Sequence, residues 1–143
     1  MSFNTDPANL APSGEPTPTP SRPIHPDYHL RDGYPNIPEY LGLRRTPNLS
    51  HKTEEQAILA LPGSWIVGDG GWYFHIVDMV VAAEHQRKGL GDVVLARLLE
   101  RIREVAPPGA WVSLLADPPG RKLYAKHGFK ETAPHSIGMA LDL

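Results

Sequence analysis

The sharpest hydrophobic pattern lies in the second half of the chain. Val94, Leu95, Leu98, Ile102 and Val105 recur at helical spacing, while Asp92, Glu100, Arg103 and Glu104 fall outside that stripe. The spacing predicts an amphipathic helix over Gly91 to Val105, broken by Pro107-Pro108-Gly109. Before it, Trp72 to Val81 is a nearly unbroken apolar run rich in aromatic and β-branched residues, which predicts a central strand. After it, Trp111 to Ala116 predicts a second strand. Strand, helix and strand in this order imply a parallel pair joined by a right-handed crossover.

Weaker patterns flank this unit. Tyr28 to Arg31 reads as a short strand stopped by Asp32-Gly33. Ile37 to Arg45 suits a short helix capped by Asn36, with Pro38 in its first turn, and Thr53 to Leu61 suits a second helix ended by Pro62-Gly63. Gly68-Asp69-Gly70-Gly71 is a turn signal. Asp117-Pro118-Pro119 starts a further helix, with Asp117 as its cap, that runs to His127 and ends at Gly128. Phe129 to Thr132 and Ile137 to Leu143 read as final strands, the latter from the alternation of Ile137, Met139 and Leu141.

Composition narrows the class of protein. Nine of the 16 prolines lie between Pro7 and Pro38. Residues 1–26 have too little to bury to offset the entropy of ordering, so they read as a disordered proline-rich tail, or alternatively as a ligand for a proline-binding domain. Residues 27–143 form the expected domain. A formal charge of −2 and no basic stripe argue against nucleic acid. The absence of cysteine excludes disulfides, thiolate metal sites and a cysteine nucleophile. With no signal-like start and no apolar run near the ~18 residues of a membrane span, the expectation is a soluble cytoplasmic protein.

The candidate chemistry sits where the central strand meets the best helix, in Val80-Val-Ala-Ala-Glu-His-Gln-Arg-Lys-Gly-Leu-Gly91. Glycines clear the way for a ligand, and first-turn amides meet it with the positive end of the helix dipole. Such a site suits a pyrophosphate, with Arg87 and Lys88 adding charge at its rim. Gly89 and Gly91 could equally serve only to shape a tight turn. A Walker loop is absent. Gly89-x-Gly91 is not completed to a dinucleotide fingerprint, since Val94 stands where its third glycine would be.

Gln86-Arg-Lys-Gly-Leu-Gly91 resembles the Q/R-x-x-G-x-G/A motif of the GNAT superfamily of N-acetyltransferases, and Leu123-Tyr-Ala-Lys-His-Gly-Phe129 resembles its second signature, a helix with tyrosine shortly before a Gly-Phe turn. The resemblance covers residues 72–132, and 28–61 more loosely, and the chain looks like a small fungal-type member. It implies an α/β (α+β) fold with a mixed central sheet and helices on both faces. It also implies acetyl-CoA as cosubstrate, with no metal, and direct transfer of acetyl to the amine of a small molecule or peptide. Met79, Val80 and Val81 would pair with pantetheine, one of the latter two offering an oxyanion-type amide. Gln86, Arg87, Lys88, Gly89, Leu90, Gly91 and Asp92 would hold the pyrophosphate. Tyr124 matches the tyrosine that protonates the thiolate. His75 stands where some members carry a glutamate base, with Asp78 as the alternative. Asp117 occupies the place of a frequent asparagine. Each has a plain structural reading too: His75 and Asp78 as hydrogen-bonded strand residues, Tyr124 as a packed aromatic, and Asp117 as a helix cap.

One feature departs from the resemblance. The superfamily places a hairpin between the second helix and the central strand, which needs at least about 12 residues. Only ten residues separate Leu61 from Trp72. Trp65-Ile66 reads like one strand start spliced to another strand's end, so the central strand is expected to lose much of its outer partner and the chain to be prone to aggregation. The competing functions are therefore an active acetyltransferase, a catalytically impaired acyl-CoA-binding remnant, and a nucleotide-binding oxidoreductase fragment.

Overall fold

The computed structural model describes residues 23–31, 33–45, 49–63 and 66–141. Four α-helices and one three-stranded mixed sheet make up their regular structure.

The first two helices start as their caps dictate. Helix α1, Ile37–Arg44, begins at Asn36, whose side chain accepts from the Glu39 amide at 2.9 Å while Glu39 accepts from the Asn36 amide at 3.2 Å. Helix α2, Glu54–Ala60, repeats the device with Thr53 and Gln56. Tyr40, Ala57 and Leu61 are buried between them, with Ile37 and Leu41 beside.

Strand β1, Ile66–Gly68, runs antiparallel to β2, Tyr73–Ile76, and β2 runs parallel to β3, Trp111–Leu114. The parallel register pairs Tyr73 with Trp111 and Ile76 with Leu114. Helix α3, Leu90–Val105, supplies the crossover and buries Leu95, Leu98, Leu99 and Ile102 against Ile76. Val94 and Val105, expected on that face, are exposed, and Leu99 takes part instead. The buried stripe is centred on 95, 98, 99 and 102, and residues 94 and 105 lie at its margins. Helix α4, Arg121–Lys126, follows a 3-10 turn at Pro118–Gly120 and packs Leu123 and Tyr124 beside the same core. The opposite sheet face carries Val67, Tyr73 and Trp111, all exposed.

The expected hairpin survives in miniature. Trp65 lies outside the described residues, but Ile66 opens β1, and Ile66, Val67 and Gly68 pair with Ile76, His75 and Phe74. The central strand thus keeps a neighbour of three residues, the remnant of an outer partner it was expected to have largely lost. The turn at residues 69–72 is built by Asp69, whose carboxylate accepts from the Gly71 and Tyr73 amides at 2.8 and 3.1 Å. Those amides hold the Asp69 carboxyl below its ordinary pKa.

Other expected strands do not form. Residues 28–31 carry no strand, and Tyr28 instead closes a turn by donating its amide to the His25 carbonyl at 2.9 Å. Asp32, the expected stop, lies outside the described residues. Residues 129–132 and 137–141 are likewise irregular, and Ile137, Met139 and Leu141 are exposed. Alternating sequence makes a strand only beside a partner whose backbone accepts its ladder bonds. The central strand is also shorter than Trp72 to Val81, because the chain leaves the ladder after Ile76.

Gly68 makes the short hairpin possible. A Cβ there would sit 2.5 Å from the Tyr73 carbonyl oxygen, so no side chain fits without separating the strands. Gly68→Ala is expected to cost about 1–3 kcal/mol by overpacking. Thermal melts of both proteins check this, and an unchanged Tm would show that β1 is not docked on β2.

Candidate active site

The site begins where the parallel strands part. Asp78, two residues beyond β2, has φ +55, a left-handed conformation rare for a non-glycine residue. Its carboxylate is held from α1: Tyr40 donates its hydroxyl at 2.7 Å, and the Arg44 guanidinium lies at 2.5 Å. Arg44 is itself buried, donating also to the Ser50 carbonyl at 3.1 Å and hydroxyl at 3.2 Å. Burial opposes the charge on Arg44, but Asp78 outweighs it, and the guanidinium pKa is raised. Burial, reinforced by Asp78, also raises the Tyr40 phenol. Asp78 is thus a structural partner with both oxygens engaged.

Beyond Asp78 the chain no longer follows β3. Met79, Val80 and Val81 run half-buried, and their amide N–H groups make no hydrogen bond among the described residues. A cleft of about 160 Å³ adjoins them, lined by Tyr34, Pro35, Tyr40, Leu43, Asp78 and Val80 among others.

The loop then turns into α3. After a 3-10 turn at Ala83–His85, Gln86 donates its side-chain amide back to the Val81 carbonyl at 3.0 Å and closes the loop on itself. Arg87 at φ +63 and Gly89 at φ +82 swing the chain round. Gly89 is the N-cap of α3 and brings no side chain to cap it, so the Leu90 and Gly91 amides are left for an outside acceptor. Gly91 serves packing: a Cβ there would meet Leu123 Cδ2 at 3.3 Å and Val81 Cγ2 at 3.8 Å. Its want of a side chain lets α3 close against α4.

Asp92, expected beside the phosphate, turns its side chain the other way. It is buried and accepts from Lys126 Nζ at 2.6 Å and His127 Nε2 at 2.8 Å, tying the start of α3 to the end of α4. Burial works against its ionisation, yet the hydrogen bonds and charges of Lys126 and His127 prevail, and its carboxyl pKa is lowered.

Tyr124 lies across Gly120, where a Cβ would meet its ring at 2.8 Å, and meets Phe129 edge-on at 6.1 Å between centroids. Its hydroxyl makes no hydrogen bond among the described residues. Burial, then the charge of Asp117, raises the phenol pKa. Asp117 holds the N-cap position, but its side chain does not cap, correcting that expectation. His75 sits inside the closed ladder, its Nδ1 2.9 Å from Ser113 Oγ, which in turn lies 3.2 Å from the Tyr73 hydroxyl.

The structure thus brings together the opened strand at 79–81, the loop at 86–91 and the helix carrying Tyr124, while His75 stays within the sheet. Sequence reasoning missed Tyr40 and Arg44, whose four-residue spacing on one helix face was a signal too common to single out. It also missed Lys126 and His127, which flank the Gly-Phe turn. Among the described residues no helix is long and apolar enough to cross a membrane, and no group of three or more His, Asp or Glu side chains is placed to hold a metal.

A parallel strand pair thus opens beside the uncapped start of its crossover helix. The sequence matches the acetyltransferase (GNAT) domain family over residues 52–131, and the chain belongs to that family. Its structure is similar, at a TM-score of 0.72 and 32% identity, to a protein of unknown function from meticillin-resistant Staphylococcus aureus described as a probable acetyltransferase, with 77% of this chain and 95% of that one covered. No curated protein matches the sequence.

The Asp92 clasp has a pH signature. Its folded pKa lies below the ordinary 3.8, so its contribution to stability is complete above that value and is lost as pH falls through the folded pKa. Asp92→Asn is expected to destabilise the protein by about 1–3 kcal/mol at neutral pH, and the gap in Tm should shrink on acidification below pH 4. A constant gap from pH 7 to pH 3 would show that the carboxylate charge does not hold the helices.

Proposed function

We propose that the protein is an N-acetyltransferase that moves acetyl from acetyl-CoA directly to a primary amine. The observation that carries this reading is two sets of backbone amides, Met79–Val81 and Leu90–Gly91, that make no hydrogen bond among the described residues. The first set matches an extended amide chain such as pantetheine, and the second, at the positive end of a 16-residue helix, matches a pyrophosphate.

In the reaction the amine lone pair attacks the thioester carbonyl, a C–N bond forms, and the C–S bond breaks. An amide near Val80 or Val81 stabilises the oxyanion. The amine gives up a proton, and the departing sulfur takes a hydrogen bond or a proton from Tyr124. The raised phenol pKa keeps that proton in place at neutral pH. His75, partnered by Ser113, is the proposed base, since Asp78 is engaged by Arg44 and Tyr40. The cleft beside Val80 takes the acceptor, and cytoplasmic action on a soluble amine fits the whole.

CoA is expected to bind saturably in calorimetry and NAD not to bind, and the reverse result would overturn the assignment. Gly89→Val, which forces a β-branched residue to φ +82, should weaken CoA at least tenfold. With an acceptor in hand, Tyr124→Phe is expected to lower kcat about 10²-fold with little change in CoA affinity. His75→Ala should remove one ionisation from the pH–rate profile. Unchanged turnover in Tyr124→Phe, or an unchanged profile in His75→Ala, would cancel the corresponding role.

A further inference from the structure

One contact reaches the loop from outside the family-matched residues 52–131. Lys88 Nζ donates to the Tyr28 hydroxyl at 2.7 Å, and that hydroxyl lies 2.9 Å from His85 Nδ1. An ammonium can only donate, so the phenol accepts from Lys88, and the direction of its bond with His85 Nδ1 follows the imidazole tautomer. The Lys88 charge also lies 5.3 Å from the centre of the Tyr28 ring. Tyr28 is in turn held on both sides, edge-on to His25 at 5.7 Å and to His85 at 5.6 Å, and by the turn from its amide to the His25 carbonyl.

These contacts place the ammonium and leave its charge intact. A hydroxyl and a ring face neutralise nothing, and neither Lys88 nor Arg87 is paired with a carboxylate among the described residues. Glu84, four residues before Lys88, lies 4.0 Å from His85 Nε2, and Asp92, four residues after it, is held by Lys126 and His127. A lysine side chain loses much rotamer freedom when a ligand immobilises it, and fixing it beforehand removes that cost from binding.

We infer that Tyr28 is a positioning residue for cofactor binding: it sets the Lys88 ammonium at the rim of the Gln86–Gly91 loop to meet a phosphate of CoA. The inference rests on the reading of that loop as the phosphate site. It makes the segment around Tyr28 part of the cofactor site, although family matching leaves it out.

The experiment is a double-mutant cycle in the full chain, with CoA titrated into wild type, Tyr28→Phe, Lys88→Met and the double variant at low and high salt. Phenylalanine keeps the ring and its edge contacts and removes only the hydroxyl. Tyr28→Phe and Lys88→Met are each expected to weaken CoA by about fivefold, the factor that one net hydrogen bond represents. The double variant should be no weaker than Lys88→Met alone. Both single variants should show a shallower salt dependence, with Tm unchanged. Wild-type affinity in Tyr28→Phe, or effects that simply multiply in the double variant, would overturn the inference while leaving the cofactor reading intact. A folded wild-type protein that fails to bind CoA would overturn the cofactor reading itself, and this inference with it.

Discussion

A non-glycine residue in the left-handed region carries a strain of roughly 1–3 kcal/mol, and Asp78 stays there because Arg44 and Tyr40 hold its carboxylate. The tie is mutual. A buried guanidinium without a counter-charge is costly, and Asp78 is the carboxylate that meets Arg44 inside the protein. Each group thus makes the other's awkward position tolerable. The result is geometric: β2 leaves β3 at Asp78, α1 is fastened to the strand end, and Met79–Val81 are left with amides facing no neighbour. A parallel pair that stayed closed would offer a ligand only side chains.

The loop at residues 86–91 depends on a second set of ties, all made at its edges. Gln86 binds back to Val81, Gly91 lets Leu123 approach, Asp92 locks onto Lys126 and His127, and Lys88 rests on Tyr28. None of these contacts uses the Leu90 or Gly91 amides. The loop is therefore rigid where it is anchored and open where it would bind, which is how preorganisation favours affinity.

The sheet is one-sided. Helix α3 supplies four buried aliphatic side chains to one face, each worth about 1.5–3 kcal/mol of burial, a large share of the ~5–15 kcal/mol margin of a small domain. The other face shows Tyr73 and Trp111 to solvent, and β1 contributes three residues. What keeps this small sheet paired at its outer edge is local chemistry: the Asp69 turn and the bare backbone of Gly68.

The sequence alone revealed the strand–helix–strand unit, both capped N-terminal helices, the family and the loop. These are local patterns: aliphatic residues at helical spacing, a capping side chain three residues from its acceptor, glycines where the chain must bend. It overstated strands at 28–31, 129–132 and 137–141, because strand character lies in the partner as much as in the sequence. It left the pairing of the short edge strand unread, since three residues before an Asp-Gly-Gly turn are too few to register as a pattern. The roles of Asp78 and Asp92 were decided only by tertiary structure. Both look like acids near a site, but one is occupied by Arg44 from 34 positions upstream and the other by Lys126 and His127 from more than 30 downstream. Electrostatic pairing depends on distance in space, and sequence records only distance along the chain.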